Sequence, residues 1–374
     1  MSDLKFLHTA DIHVGAANGY LGSLAGRRKR ETVATFRKMA KHCEENCIPL
    51  MVIAGDLFDS NTVEASLISE VFDVFGEFPL LTFVFCAGNH DPLSSDSPFL
   101  NEKLPENVFV LGTQNDCVFL EKLKVKIYGC SFKSVFEDAF NGFNAADDDC
   151  FKIGVLHGEV GNSLSNYRYV NPDVFENSGL DYVALGHVHS ASPVKKIGKT
   201  SYAYSGCPEG QGFDELGIKG AYEICLANET VKSKFVPFCL RQHVLTKTDI
   251  SDCLSNQMVV SKVLSSLSEN YGENYSDNLY KIELVGTLSK EFSLNLDSVL
   301  AGLSPMLFYV KLKNQTEKEF DFELIAKERT LRGIFVKKML MKIEGAPKEE
   351  KANLRKALTL GLNAFDGEVE YDEN

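Results

Sequence analysis

The first half of the chain alternates short apolar runs with amphipathic stretches of helical period. PLMVIA (49–54), LLTFVF (80–85) and DYVAL (181–185) are brief, rich in β-branched and aromatic residues and bounded by turn formers, which predicts buried strands. Between such runs, RETVATFRKMAKHCEEN (30–46) and EASLISEVFDVFGEF (64–78) place apolar residues at i, i+3 and i+4 and predict helices. FVLGTQNDCVFLEKLKVKIYGCSF (109–132) predicts paired strands joined by polar turns, as do SYAYSGCPEG (201–210), GAYEICL (220–226) and SKFVPFCL (233–240). The pattern is that of an α/β domain with two stacked mixed β-sheets flanked by helices.

Near Arg241 the pattern shortens. Helix-like NQMVVSKVLSSLSENY (256–271), strand-like LYKIELVG (279–286), helix-like LNLDSVLAGL (294–303) and strand-like MLFYVKLKN (306–314) predict a small α+β domain. Two amphipathic helices follow, TLRGIFVKKMLMKI (330–343) and PKEEKANLRKALTLGLNAF (347–365). In the second, Leu354, Ala357, Leu358, Gly361, Leu362 and Phe365 share one face. The expected divisions are 1–240, 241–320 and 321–374, the last ending in an acidic tail.

A chain of 374 residues with 44% hydrophobic and 24% charged residues has ordinary globular composition, which excludes wholesale disorder. The opening MSDLKFLHTADIH has no basic n-region and no long apolar stretch, and no run is long enough to span a bilayer, so cytoplasmic residence without membrane association is expected. The ten scattered cysteines fit reduced thiols in a cytosolic core; Cys43 and Cys47, the one close pair, are expected at helical core positions rather than on zinc. The net charge of −13 argues against a free-standing nucleic-acid binder, because phosphate contacts call for Lys and Arg. A basic partner surface or bound cations would change that balance.

The candidate chemistry lies where apolar runs end. TADIHVG, IAGDLFDS, CAGNHDP, GVLHGE and LGHVHS carry Asp11, His13, Asp56, Asn89, His90, Asp91, His157, His187 and His189. Any one of these is commonly a turn former. Five of the eight histidines fall in these loops, however, and independent placement explains that poorly. Carboxylate, amide and imidazole donors at strand ends suit Mn, Fe or Zn, and a carboxylate such as Asp56, with two oxygens, suits a bridge between two cations. Arg27, Arg28, Lys29 and Arg30 are candidates for contact with a phosphate backbone, since a basic run at a helix start opposes the dipole. IGKT (197–200) mimics a phosphate-binding loop, but Pro193 stands where the first glycine belongs, so ATP hydrolysis by that route is excluded.

The ordered set resembles the calcineurin-like metallophosphoesterase superfamily over about the first 210 residues. The resemblance implies that Asp11, His13, Asp56 and His189 hold one divalent metal and that Asp56, Asn89, His157 and His187 hold a second, most readily manganese. His90 corresponds to a non-ligand histidine that helps stabilise or protonate the leaving group, Asp91 to a residue orienting its imidazole, and His8 to a strand-end histidine engaged in hydrogen bonding. LKFLHTADIHVG and YSGCPEGQGFDELGIKG, with Ser205 and Cys207 departing from the usual residues, are similar to the SbcD-type DNA repair exonucleases. That similarity implies DNA as substrate, a capping domain, C-terminal helices that dock on an SMC-like, SbcC-type ATPase, and a homodimer. Hydrolysis of a small phosphodiester or phosphomonoester, and a non-catalytic scaffold recruiting an ATPase to DNA ends, stay open beside it.

Overall fold

Every residue of Leu50–Ala54, Phe151–His157 and Tyr182–Gly186 is buried, because each strand is covered on both faces. This is why their sequences are continuously apolar rather than alternating. The computed structural model describes residues 3–16, 18–227 and 230–365; the acidic tail lies outside the described residues. The chain divides into two units, Met1–Leu245 with Ser276–Lys281 and Leu307–Tyr309, and Thr246–Tyr275 with Ile282–Met306 and Val310–Asn374.

The first unit begins β1 (Leu4–Thr9), α1 (Ala25–Glu45), β2 (Leu50–Ala54), α2 (Ala65–Glu77), β3 (Thr82–Cys86), the one-turn α3 (Pro98–Asn101) and β4 (Val108–Val110). It continues with β5 (Asp116–Leu120), β6 (Val125–Gly129), β7 (Phe151–His157), β8 (Glu159–Val160), β9 (Tyr169–Val170), β10 (Tyr182–Gly186), β11 (Lys195–Ile197) and β12 (Thr200–Tyr204), then the hairpin β13 (Gly220–Ala227) and β14 (Thr230–Pro237). One six-stranded sheet has the order β14-β13-β1-β2-β3-β4 and the other β11-β12-β10-β7-β6-β5. Both are mixed: β1 to β4 run parallel while the β1–β13 and β13–β14 pairs are antiparallel, and β6, β7, β10 and β12 run parallel between antiparallel edges.

Phe6, Val52 and Val84 of the first sheet share a buried cluster with Ile127, Ile153, Val155 and Ala184 of the second. On the other face of the first sheet, Phe83 and Phe85 pack against Phe36 and Met39 of α1 and Phe75 of α2. Each such fully buried side chain contributes about 1.5–3 kcal/mol of transfer free energy. The outer face of the second sheet is covered mainly by loop residues, including Phe140, Phe143 and Phe175. Cys43 is buried in α1 as expected, but Cys47 is exposed, in a left-handed turn (φ 53°) after the helix. The run 109–132 does not form one local pair: β4 joins β3 in the first sheet, while β5 and β6 pair in the second.

A three-stranded sheet, β15-β16-β17, is formed by β15 (His243–Asp249), β16 (Leu279–Leu288) and β17 (Tyr309–Lys318), most of whose residues fall in the second unit. The second unit's helices α4 (Asn256–Tyr271) and α5 (Leu296–Leu303) start where Ser255 and Asn295 accept hydrogen bonds from Met258 N–H and Ser298 N–H. After the one-turn α6 (Phe322–Ile325), α7 (Leu331–Gly345) and α8 (Lys348–Phe365) bury Val336, Ile343, Leu358 and Leu362 against each other. Ala357, expected on that apolar face, is exposed. Leu331, Ile334, Met341 and Leu360 are also exposed. Among the described residues, no helix is long and apolar enough to cross a membrane.

Candidate metal centre

The loops after β1, β2, β3, β7 and β10 converge. His157, the last residue of β7, directs Nδ1 at the Ala54 carbonyl that ends β2, 2.9 Å away. Asp11 N–H donates to the Gly55 carbonyl (3.0 Å), and the Asp11 carboxylate accepts from His187 N–H (3.0 and 3.1 Å). Two glycines make the approach feasible. A Cβ on Gly55 (φ 91°) would stand 2.2 Å from His157 Nδ1, and one on Gly88 2.1 Å from Asp56 Oδ1. Asp11, His13, Asp56 and His187 themselves adopt positive φ (53°, 49°, 53° and 99°). That geometry costs on the order of 1 kcal/mol per residue and persists where the surroundings enforce it.

The side chains form overlapping donor groups, one of which brings the His90 ring within 4.8 Å of His13 and Asp56. Asp11, His13 and His189 present ligand atoms within 4.8 Å of one another, as do Asp11, Asp56 and His157. His157 Nε2 is 3.0 Å from Asn89 Oδ1 and 3.2 Å from Asp56 Oδ2, and His187 Nδ1 is 3.2 Å from Asn89 Oδ1. Asp56 sits between the groups with its oxygens divided. Oδ1 accepts from His90 N–H (2.9 Å), while Oδ2 faces both His157 Nε2 and His13 Nε2 (3.8 Å).

Three imidazoles are oriented from behind. His157 Nδ1–H donates to the Ala54 carbonyl, His13 Nδ1–H to Asp59 Oδ1 (3.1 Å) and His189 Nδ1–H to Glu215 Oε1. In each ring the Nε2 lone pair is thereby turned toward the centre, the arrangement metal-ligating histidines adopt. His13 Nε2 and His189 Nε2 then face each other at 3.1 Å, two lone pairs that repel unless a cation or a proton lies between them. The donor set of carboxylate, amide and imidazole therefore fits divalent cations.

Charge gives the same answer. Burial alone would lower the pKa of His13, but the Asp59 hydrogen bond and the Asp56 and Asp11 charges reverse it and raise it to about 9. His157, fully buried, is likewise carried to about 9 by Asp56, Asp11 and the Ala54 carbonyl. Asp56 moves the other way: burial would raise it, yet His157 and His13 hold it well below the usual carboxylate range. Below pH 6.5 the folded, metal-free chain thus holds protons on His13 and His157 with their full stabilising effect, and this is lost as pH rises through about 9. Chelator-treated protein is expected to melt progressively lower between about pH 6.5 and 9, while Mn²⁺ affinity, which requires those protons to leave, rises over the same window. Melting curves and calorimetric titrations across that range check both slopes.

Asp91 does not reach the His90 ring. Fully buried, it accepts from Asp56 N–H (3.2 Å), Leu57 N–H (2.7 Å), Phe58 N–H (3.1 Å) and Gly88 N–H (2.8 Å), and so holds the Asp56 turn in place. Burial and the Asp56 charge raise its pKa to about 6 despite these donors. The His90 ring is instead oriented by the Asp59 carbonyl, 2.9 Å from Nδ1, and is half exposed beside His13. His8 bonds Tyr182 Oη (3.0 Å) and the Leu185 carbonyl (3.2 Å), away from the donor groups. Asp59 and Glu215 were not singled out by the sequence; the signal was an acidic residue within or beside the motifs, Asp59 in GDLFDS and Glu215 in FDELG.

The basic run is mostly committed elsewhere. Arg28 is 1% exposed and pairs with Glu209 (2.6 Å) and Glu31 (3.2 Å), so it is inaccessible to a phosphate backbone. Arg27 pairs with Glu31 (3.2 Å) and Lys29 with Glu64 (2.9 Å), while Arg30 is exposed. Burial of the Arg28 guanidinium between carboxylates is the physical reason the contact expected of it fails.

The calcineurin-like phosphoesterase family matches residues 4–191, the span that carries these donor groups. The chain belongs to that family. Its phosphoesterase domain is therefore of the metal-dependent, phosphoester-hydrolysing kind. An uncharacterized metallophosphoesterase, YhaO, of Bacillus subtilis (strain 168) is 28% identical over 251 residues, covering 63% of this chain and 60% of the relative. The DNA double-strand break repair protein Mre11 of Methanopyrus kandleri is 23% identical over 237 residues (57% of this chain, 50% of the relative). A subunit of the nuclease SbcCD of Bacillus subtilis (strain 168) is 26% identical over 260 residues (57% and 64%). The chain thus spans between 50% and 64% of the length of these relatives.

Proposed function

We propose that this phosphoesterase is a two-metal phosphodiesterase of the SbcD type, acting on DNA as the nuclease subunit of a complex with an SMC-like ATPase. The observation that carries the metal assignment is the division of Asp56: one oxygen secured by His90 N–H, the other facing both histidine groups. In this reading Asp11, His13, Asp56 and His189 hold one ion, and Asp56, Asn89, His157 and His187 the other. Bound divalent ions of this kind lower the pKa of water and stabilise charge on a phosphoryl group.

The chain's own residues do the remainder. The Asp91 clamp fixes the Asp56 turn, and the Asp59 carbonyl holds His90 through Nδ1, which leaves Nε2 to give its proton to the departing oxygen as the ester bond breaks. His90→Gln is expected to lower kcat by about 10²–10⁴-fold with Mn²⁺ binding unchanged, because His90 touches the leaving group rather than the ions. Equal losses of kcat and Mn²⁺ affinity would instead make it a ligand.

DNA as substrate rests on the names of the repair relatives and on the resemblance carried by the FDELG stretch. The net charge of −13, together with the pairing of Arg27, Arg28 and Lys29, favours a second reading, a small phosphodiester or phosphomonoester. Mn²⁺-loaded protein tested on linear duplex DNA, single-stranded DNA, cyclic nucleotides and bis-p-nitrophenyl phosphate separates the two. DNA cleavage supports the nuclease; turnover of the small esters with every DNA form left intact, with and without an SMC-like ATPase, rejects it.

A further inference from the structure

We propose that Glu215 is the positioning residue for His189, setting the ring so that Nε2 faces Asp11 and His13 and thereby setting the affinity of the metal site those residues share. The inference rests on the metal assignment above and not on the choice of substrate.

One segment grips His189 at three points. Glu215 Oε1 accepts from the ring Nδ1–H, and the His189 backbone carbonyl accepts from Cys207 N–H (3.3 Å) and Lys219 Nζ (3.1 Å). Glu215 is itself held: Oε2 accepts from Gln211 N–H (2.8 Å) and lies 3.5 Å from Cys207 Sγ. Both carboxylate oxygens are therefore engaged behind the ring, which places Glu215 outside the ligand set although it clusters with His189 and Cys207. The segment is anchored in turn by Glu209, fully buried and bonded to Arg28 Nη2 (2.6 Å), Thr35 Oγ1 and Leu240 N–H (2.6 Å). A carboxylate behind a ligating imidazole fixes its tautomer and raises its basicity. The segment 204–220, which includes the FDELG stretch, thus acquires a role at the metal centre: it holds the second histidine of HVH.

The test is calorimetric titration of MnCl₂ into the chelator-stripped full chain, alongside Glu215→Gln and Glu215→Ala, with melting temperatures of the metal-free forms. The wild type is expected to bind two ions. In Glu215→Gln, whose single amide oxygen can replace only one of the two accepting oxygens, one of the two sites is expected to weaken about 10- to 100-fold while the other stays unchanged, with a small drop in the metal-free melting temperature from the donor left unpaired. Glu215→Ala is expected to weaken the same site at least as much. Wild-type affinities in Glu215→Gln overturn the proposal, and so do equal losses at both sites with a lowered melting temperature, which mark a packing role only. Failure of the wild type to bind two ions overturns instead the metal assignment.

Discussion

Asp56→Asn is expected to abolish turnover of bis-p-nitrophenyl phosphate while leaving the fold intact. The Asn side chain keeps an oxygen able to accept from His90 N–H, as Asp56 Oδ1 does at 2.9 Å, so the turn clamped by Asp91 survives. What is lost is the anionic Oδ2, which lies 3.2 Å from His157 Nε2 and 3.8 Å from His13 Nε2 and so faces both groups. If two cations share this charge, as proposed, its removal forfeits several kcal/mol of transition-state stabilisation, about 10³-fold or more in kcat. The measurement is steady-state hydrolysis at saturating Mn²⁺ with circular dichroism as the fold control. Activity within about tenfold of wild type would mean that no shared ion depends on Asp56.

Arg28→Ala is expected to destabilise the chain by about 3–5 kcal/mol, because it leaves Glu209 buried and uncompensated and Glu31 short of one partner. The Arg28 guanidinium bonds Glu209, Glu31 and the Gly210 carbonyl, and Glu31 is shared with Arg241, so the loss spreads through a buried network. Urea denaturation should show a lower midpoint with an unchanged slope. The double variant Arg28→Met, Glu209→Gln should recover much of the loss, since the uncompensated charge is gone. A wild-type midpoint in Arg28→Ala combined with weakened binding of a phosphate-backbone ligand would return Arg28 to the surface role its sequence context suggests.

The difference between these residues shows what a sequence carries. The metal-centre residues follow strands buried on both faces, so each motif is announced by a continuous apolar run: LMVIA before Gly55 and Asp56, YVAL before the GHVH motif. α4 is legible from its period, and its observed bounds match the run NQMVVSKVLSSLSENY. Arg28 was not legible, because its partner Glu209 is 181 positions away and only the fold brings them together. The same holds for Asp91, whose short side chain turns back under the Asp56 loop instead of toward its neighbour His90. The split of 109–132 between two sheets was hidden for a related reason: apolar alternation specifies a strand but not its partner, and β4 pairs with β3 rather than with the nearer β5.

The most direct test of the two-metal centre is anomalous diffraction at the manganese edge from crystals of the Mn²⁺-loaded chain. Two peaks are expected about 3.5–4 Å apart, both in contact with Asp56, one flanked by Asp11, His13 and His189 and the other by Asn89, His157 and His187. A single peak, or two peaks of which one lacks Asp56, would contradict the two-metal assignment.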